Sequence, residues 1–468
     1  MKRLSIILLT TLLVLVAGYA AARYYTGQVL AQEVEQLAAD LSTSEDIEIR
    51  QLTYRPGALQ GELDYDLKVR LPAGHPLVDL SRLAAPGQIS QWIELSGSAH
   101  VSQGPHLTAD GLVLARAKQQ WPGLTLTAGL RADGMLLGEL QGDGFAGEMM
   151  APDGLPVLVN LSPWQGDFRW QPEQQLLQVN ASLQQLLLEQ AGFQGEINRG
   201  IAELELSVAG PAVWSSRTDL RADRLELSSD VSGTRLENTR ILAEVLRHDD
   251  RIDNRLEIVL GESLVEDIDW RSGELKLAFS DLDATAWMNL MEELATGLAE
   301  GQFDPVQQER LLRAGDDLLA AGPVLHVERL ALALFDPDEP DDLAGTLRLH
   351  YPGGNGANMR DPTGLLEHSD IRLSLLATTG ALRRISQWRA EAEARTLAAE
   401  RNIVRNEEQI QRSAARMYRT TLISLQFMPL VTVADGKAET HLEMRDGSVY
   451  QHGERVMPVT QILRLLGL

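Results

Sequence analysis

The sequence predicts an α+β protein that is mostly antiparallel β: long twisted β-sheet, an N-terminal transmembrane helix, and a few late helices that include one long Arg-rich helix. Three observations predict this class. Apolar and polar side chains alternate at every second position over most of the chain after residue 45. No strand–helix–strand rhythm occurs in the sequence between residues 45 and 280, which argues against a parallel nucleotide-binding fold. Helical spacing is confined to the N-terminus and to the chain after residue 283.

Residues 1–27 are predicted to form a membrane anchor. Met1-Lys2-Arg3 precede the uncharged stretch 4–22, which as a helix would be about 28 Å long, close to the hydrocarbon thickness of a bilayer. The alternative is a cleaved secretory signal, because small residues at positions 18, 20 and 22 offer cleavage sites. In both cases the basic N-terminus stays in the cytoplasm and the remaining chain is exported.

A helical stalk over residues 28–44 and an extended antiparallel region over residues 45–282 are predicted to follow. Clear strand patterns lie at 92–101, 124–132, 202–208, 224–229, 255–260 and 274–279. The first alternating run, LQGELDYDLKVRL, places six apolar side chains on one side: Leu59, Leu63, Tyr65, Leu67, Val69 and Leu71. We name these six the first apolar face. They predict either one wall of a covered core or an open groove for acyl chains.

The last third of the chain is predicted to mix helices with strands. A helical insertion over 283–335 contains helices at 283–300, with Asp283 as N-cap, and at 304–322, with Pro305 in the first turn, and leads back to a strand. The C-terminal region 336–468 contains strands, solvated loops at 336–342 and 352–364, a long helix over 382–419, a terminal hairpin at Asp446-Gly447 and a short last helix.

The predicted long helix carries many arginines in an acidic protein. We interpret these arginines as part of a solvent-exposed helix face on which they form ion pairs with nearby glutamates of the same helix. The alternative is contact with phospholipid head groups or an acidic partner through Arg383, Arg384, Arg389 and Arg395.

Composition and motifs exclude several classes of function. The formal charge of −24 opposes nucleic-acid binding, which requires neutralisation of phosphates. The absence of cysteine excludes disulfides, thiolate nucleophiles and lipoprotein acylation. Residues 142–147 match G-x-G-x-x-G, but Pro152, Gly154 and Pro156 prevent a following helix, so the motif predicts a glycine-rich strand or bulge.

No catalytic, cofactor-binding or metal-binding residue is predicted. The sequence lacks G-x-S-x-G, S-x-x-K and H-E-x-x-H motifs. His100 and His106 flank a Gly-Pro turn and could meet across a hairpin, but two ligands make a weak metal site. The acidic loop 336–342 lacks the order of ligands found in a calcium loop.

Several segments in order resemble the YdgA-like proteins of Gram-negative bacteria, a family of unassigned function. They are YYTG (24–27), YRPGALQGEL (54–63), VSQGPH (101–106), LDATAWMNLM (282–291) and LEMRDGSVYQHGERV (442–456). Gln103 stands where the family has a histidine, so no role of that histidine is carried over. The resemblance implies an inner-membrane anchor with a periplasmic body, and it brings no catalytic residue.

The sequence therefore predicts a non-catalytic, membrane-anchored envelope protein that acts as an interaction or scaffold module, as a homodimer or with an envelope protein partner. The alternative is a lipid-binding or lipid-transfer protein with an open apolar groove, by analogy with AsmA-like proteins and with phospholipid as ligand. An unrecognised hydrolase is the minor alternative.

Overall fold

The structure is a computed structural model that describes residues 23–461. Within that range it leaves out residues 24, 33, 37, 40–41, 43–46, 58–59, 71–91, 109–110, 122–123, 132, 151–155, 172, 211–212, 230–232, 266–267, 300–304, 336–341, 355–358, 402 and 429. The predicted anchor, residues 4–22, lies outside the described residues. Among the helices that the structure does describe, none is long and apolar enough to cross a membrane.

The described strands form one antiparallel sheet of twenty-four strands, which confirms the predominantly antiparallel β class. The alternating pattern explains this outcome, because one side of each strand can be apolar while the other stays in water. The strands are β1 (Ile47–Arg55), β2 (Gln60–Arg70), β3 (Trp92–Thr108), β4 (Gly111–Trp121), β5 (Leu124–Arg131), β6 (Leu136–Gly142), β7 (Phe145–Met150), β8 (Pro156–Leu161), β9 (Trp164–Gln171), β10 (Leu176–Gln190), β11 (Phe193–Gly210), β12 (Val213–Ser229), β13 (Gly233–His248), β14 (Arg251–Leu260), β15 (Ser263–Val265), β16 (Ile268–Trp270), β17 (Ser272–Asp283), β18 (Val324–Ala333), β19 (Leu343–His350), β20 (Asp370–Thr378), β21 (Thr432–Ala434), β22 (Lys437–Arg445), β23 (Ser448–Gln451) and β24 (Glu454–Pro458).

The sheet is a meander, in which strands that follow each other in the chain are mostly neighbours in space. Its main path runs β1 to β6, β9 to β14, β17 to β20 and β22 to β24. Two hairpins branch from it: β7–β8 pairs with the second half of β10, and β15–β16 pairs with the start of β13. β21 pairs with β22. The two ends of the path are therefore far apart along the sheet.

One side of the sheet is apolar across almost its whole width. A single row of paired residues can be followed from β2 to β22, and Thr218 is its only polar member. The row is Gly61, Val101, Ala117, Ala128, Gly138, Phe168, Val179, Leu204, Thr218, Ala243, Leu256, Leu277, Val327, Leu347, Leu373 and Leu442. Paired residues point to the same side, so these side chains share one face.

The neighbouring row lies on the opposite face and is largely charged or polar. Its members are Lys118, Thr127, Glu139, Asp167, Asn180, Glu203, Asp219, Leu242, Glu257, Lys276 and Arg329. We call the two sides the apolar face and the charged face.

Helices cover parts of the apolar face. Described residues between 23 and 39 are helical, and we call them the N-terminal helical segment; Leu30, Ala31 and Val34 pack against a cluster on β1, β3 and β4. The five other helices of the described chain are α1 (Ala284–Ala299), α2 (Pro305–Ala320), α3 (Pro362–His368), α4 (Thr379–Arg401) and α5 (Glu407–Phe427).

These later helices pack beside the strands of the second half of the chain. Trp287 of α1 and Leu318 of α2 join a cluster formed by Ile252 and Leu282. α3 packs at the C-terminal strands, and Trp388 of α4 packs with Leu334, while α5 packs on α4. None of these clusters includes a residue of β9 to β12. In them, no helix of the described chain covers those four strands.

The sheet is thin for a protein of this size. A single sheet has two faces, and among the described residues helices cover only sections of one of them.

A line of irregular pairing crosses β10 to β13. The regular pairs skip Gln184, Arg199, Asp223 and Asn238 on four successive strands. Arg199 and Asn238 have positive φ angles of 47° and 48°, and Arg199 forms an ion pair of 3.2 Å with Asp223. An extra residue on each strand keeps apolar side chains on the same face on both sides of this line. We name it the crease.

The prediction of one long Arg-rich helix over 382–419 is wrong, because α4 ends at Arg401 and α5 begins at Glu407. Asn406 starts α5 with a capping box. Its side chain accepts a hydrogen bond of 2.9 Å from the Gln409 amide, and the Gln409 side chain accepts one of 3.0 Å from the Asn406 amide. Reciprocal bonds of this kind favour a new helix start over continuation of the old helix.

Two turn predictions also need correction. His100 and His106 do not meet across a hairpin, because both lie on β3, where Gly104 and Pro105 form a bulge instead of a turn. The loop predicted at 352–364 ends in the first residues of α3, which Asp361 caps by accepting a hydrogen bond of 2.9 Å from the Gly364 amide. The glycine motif at 142–147, predicted as a glycine-rich strand or bulge, contains the turn from β6 to β7 with Gly144 at a φ of 82°, and a strand follows it.

Candidate functional site

An uncovered section of the apolar face, on β9 to β13, contains a groove of about 360 Å³. Its side chains on that face come from five neighbouring strands. They are Trp164, Ala181, Leu183, Ile197, Gly200, Ala202, Leu220, Ala222, Leu225, Thr239 and Ile241. We name this site the β9–β13 groove.

Small residues form the floor of the groove. Ala181, Ala202 and Leu220 are paired in one row, and Gly200 and Ala222 are paired in the next. Alanine and glycine have no atoms beyond Cβ, so the space above their backbone stays empty. The larger side chains beside them form the walls of the groove. Gly200 has little room for more, because a Cβ atom there would lie 3.2 Å from Cγ of Leu183.

The groove continues on the other side of the crease. A second depression of about 180 Å³ is lined by Leu186, Leu188, Leu227 and Leu236, and it shares Ile197 and Leu225 with the first. Leu220 and Leu227 are 43% and 50% exposed, although they are large aliphatic side chains on the apolar face. Contiguous exposed apolar surface of this kind usually marks a binding site.

The charges nearest to the groove are neutralised by other residues of the sheet. Asp219 on the charged face accepts hydrogen bonds of 2.6 Å from Nη2 of Arg240 and 2.8 Å from Nη2 of Arg221. These bonds, Arg240 first, hold the pKa of the Asp219 carboxyl far below its usual range. Arg221 is among the residues that line the groove, but it lies two residues from Asp219 on β12, so its side chain shares the charged face. The groove therefore offers hydrophobic burial and dispersion contacts along its length.

The first apolar face lies elsewhere, at the N-terminal end of the sheet. Leu63, Tyr65 and Leu67 are half-buried, and Leu63 packs against the cluster of the N-terminal helical segment. Burial raises the pKa of the Tyr65 hydroxyl. Val69 is paired with Ile47, whereas Leu59 and Leu71 lie outside the described residues. The first apolar face is thus partly covered. The open section of the sheet's apolar face lies instead on β9 to β13.

Gln103 joins the N-terminal helical segment to the sheet. Its side chain is fully buried, and the amide orientation that satisfies its neighbours accepts from the Tyr54 hydroxyl at 2.5 Å and from the Gly61 amide at 3.2 Å. Its NH₂ group then donates to the Gly57 carbonyl oxygen at 3.2 Å. Burial raises the pKa of the Tyr54 hydroxyl.

The helical segment reaches the same point through Arg23 and Gly27. Arg23 donates to the Gln103 carbonyl oxygen and, at 2.9 Å, to Oγ of Ser102. A Cβ atom at Gly27 would lie 2.3 Å from the Gln103 amide, so only glycine permits this approach. Three segments that carry the YdgA-like resemblance, 24–27, 54–63 and 101–106, therefore meet at one contact. We name it the Gln103 joint.

Of the four arginines that the sequence suggests for head-group contact, two already contact other side chains of the protein. Arg384 forms an ion pair with Asp269 at 2.5 Å, and the Arg383 guanidinium lies 5.4 Å from the centre of the Tyr418 ring. Arg389 and Arg395 are exposed on α4.

Neither acidic residues nor histidines gather into a metal site in the described part of the chain, where no group of three potential ligands is found. Of the acidic loop 336–342 only Asp342 is described. Its carboxylate accepts from the Leu334 amide at 2.8 Å and from Oγ1 of Thr378 at 3.0 Å, so it organises the loop ends.

Sequence reasoning missed the β9–β13 groove. The signal was present as small residues at alternate positions of successive strands, namely 181, 200, 202 and 222. Reading it required the register of four strands, which the sequence alone does not give. Gln103 was noticed as a motif position, but its buried role depends on partners about fifty to eighty residues away in sequence.

Comparison with known proteins gives a family without an assigned role. The model of a family described as "Bacterial protein of unknown function (DUF945)" matches residues 1–458. No curated protein and no solved structure matches the chain.

Proposed function

Since the chain belongs to this DUF945 family of bacterial proteins, whose function is unknown, we propose a function from its own geometry: it binds acyl chains of lipids in the β9–β13 groove. We further propose that it is a YdgA-like protein anchored in the inner membrane by residues 4–22, with the sheet in the periplasm. The carrying observation is an open groove of about 360 Å³ on the apolar face of the sheet.

The shape of the groove favours an aliphatic chain. Its floor consists of alanine and glycine and its walls of leucine, isoleucine and tryptophan. A flexible hydrocarbon chain fills such a trough without a polar partner, since apolar burial gives roughly 25 cal/mol for each Å² removed from water. The Leu220 and Leu227 side chains, which are half in water, would gain most from such cover.

The proposed location supports the same function. A bilayer anchor followed by a short helical stalk keeps the sheet within reach of phospholipids, the nearest large source of acyl chains. The Gln103 joint holds the helical segment that follows the anchor against β1 to β4, so the sheet has a defined attachment to the stalk.

The test uses the full chain in detergent and a phospholipid with a photoreactive group in its acyl chain. After irradiation, cross-linked peptides are mapped by mass spectrometry. We expect lipid adducts within residues 176–229, separate from adducts in residues 1–27 that any anchor would give. Ala202→Leu fills the floor and should reduce the groove adducts several-fold.

Ala146→Leu is the matched control, because Ala146 is exposed on β7 and paired with Asn160. It adds the same side chain outside the groove and should leave the adducts unchanged. Adducts confined to residues 1–27, or equal labelling of wild type and Ala202→Leu, would rule the groove out as a lipid site.

The second candidate is a non-catalytic envelope interaction module that uses the same face for a protein contact. It is favoured by the way protein helices already cover other sections of the apolar face. Light scattering on the full chain separates the two: an oligomer that Ala202→Leu dissociates, together with no acyl adducts in residues 176–229, would support a homodimer through the groove.

A further inference from the structure

The outward side of α5 combines basic and large apolar side chains. Arg416, Arg419, Ile423 and Phe427 follow each other at spacings of three and four residues, which places them on one stripe of the helix. Ile423 and Phe427 are 52% and 83% exposed. We name these four residues the α5 stripe.

The other side of α5 is occupied by α4. Ala414 is buried, and Tyr418 lies under the Arg383 guanidinium of α4. The stripe is therefore not the packing surface of the helix pair. Exposure of a phenylalanine at a helix end, next to Met428 with half of its surface exposed, is unfavourable in water unless a partner covers it.

The charge of the stripe contrasts with the rest of the chain. Residues 413–428 contain two arginines and no acidic residue, in a protein with a net charge of −24. Arg412, one turn earlier, already has an acidic partner in Glu408. The second half of α5 is thus a local basic and apolar surface on an acidic molecule.

The stripe lies at the far end of the sheet from the Gln103 joint. The N-terminal helical segment packs on β1, β3 and β4, whereas α5 contacts α4 and β21. Twelve strand spacings separate β4 from β20 on the main path, which at about 4.8 Å each is about 58 Å along the sheet. The two contacts would therefore engage different places.

We propose that the α5 stripe docks on the surface of a bilayer that contains anionic phospholipid. Arginines are attracted to anionic head groups, while phenylalanine and isoleucine enter the boundary between head groups and acyl chains. An acidic protein would satisfy the arginines but would not account for the exposed Phe427 and Ile423. This docking goes beyond acyl-chain binding in the groove and does not depend on it.

The test measures binding of the full chain to a second membrane. The chain is held in phosphatidylcholine nanodiscs and mixed with vesicles of phosphatidylcholine, with or without phosphatidylglycerol, and the vesicles are floated. We expect flotation of the chain with the phosphatidylglycerol vesicles, and less of it as salt is raised. The double variants R416Q/R419Q and I423S/F427S should each reduce it several-fold.

Two controls alter the same residue types elsewhere. Arg372→Gln removes an exposed arginine of the charged face, and Leu158→Ser removes an exposed leucine of β8; both should float like wild type. All four variants change exposed side chains, and circular dichroism melts check that they fold. Ala202→Leu should leave flotation unchanged, which separates this contact from the groove.

Three results would overturn the proposal. Equal flotation with and without phosphatidylglycerol would show that attraction to anionic phospholipid does not contribute to binding. Equal flotation of wild type and both stripe variants would show that the α5 stripe is not the membrane contact. Loss in R416Q/R419Q with full binding by I423S/F427S would indicate a purely ionic contact, as expected for an acidic protein partner.

Discussion

Single buried polar side chains organise this thin sheet. Asp219 and Gln103 are almost completely buried, and each makes bonds to residues on other strands. A single layer has few places where polar atoms are removed from water, so each of these side chains needs partners. Asp219 ties β12 to β13 through Arg240, whereas Gln103 ties β3 to β1 and β2.

Asp219→Asn should lower the free energy of unfolding by about 2 kcal/mol at neutral pH, because charge-assisted bonds from Arg221 and Arg240 are lost or weakened. The pKa of Asp219 is lowered by folding, so its contribution is present above the ordinary aspartate pKa of about 3.9 and disappears as the pH falls through the lower folded value. Urea unfolding from pH 7 to pH 3 should therefore show the gap between wild type and variant closing with acid.

Asp133→Asn is the control, because Asp133 is half exposed and pairs with Arg131 in a turn. Its effect should be a few tenths of a kcal/mol at most and independent of pH. A gap for Asp219→Asn that stayed constant or widened at low pH would contradict the role given to its charge.

At the scale of elements, the N-terminal helical segment and the sheet meet through a close contact that only small residues allow. Gly27 faces the Gln103 amide, and Gly61 faces the Tyr54 ring. Leu30 and Val34 add apolar contacts one and two turns further along the helix. The joint therefore combines a fixed polar point with a short hydrophobic strip.

Gly27→Ala should detach the N-terminal helical segment, because the new Cβ atom would lie 2.3 Å from the Gln103 amide and push the helix away. Limited proteolysis of the full chain should then cut faster within residues 28–39, while β10 to β13 remain protected. Gly233→Ala serves as the control, since the nearest atom to its new Cβ would be 4.0 Å away. Unchanged cleavage in Gly27→Ala would show that the contact does not hold the segment.

At the scale of the whole molecule, each strand of the main path is supported chiefly by its two neighbours. Stability should then vary along the sheet, as it does in repeat proteins. β10 to β13 are 15 to 18 residues long and pair over most of their length. β5 to β9 are only 6 to 8 residues long, so less pairing holds that section together.

We expect the section β5 to β9 to open at lower urea than β10 to β13. Hydrogen exchange measured by mass spectrometry at increasing urea would show loss of protection first in residues 124–171 and last in residues 176–248. Coincident loss in both sections, with a single cooperative transition, would mean that the sheet unfolds as one unit.

The sequence allowed the strands to be predicted because period-2 alternation is a local property and one face of each strand is in water. It also allowed α1, α2 and the Asp446-Gly447 hairpin to be located from capping and turn residues. The break between α4 and α5 was missed, because arginines continue through it and the Asn406–Gln409 capping box was not recognised. Strand order and register depend on contacts distant in sequence, and the β9–β13 groove exists only through them.

The meander also makes the width of the sheet adjustable. Because neighbours in space are neighbours in the chain, one hairpin could be inserted or deleted between two strands without reversing the direction of those that follow. Each such change would lengthen or shorten the molecule by about 10 Å while both ends kept their own contacts. The number of hairpins therefore sets the distance between the N-terminal helical segment and the helices α4 and α5. Evolution, or an engineer, could change that distance in fixed steps.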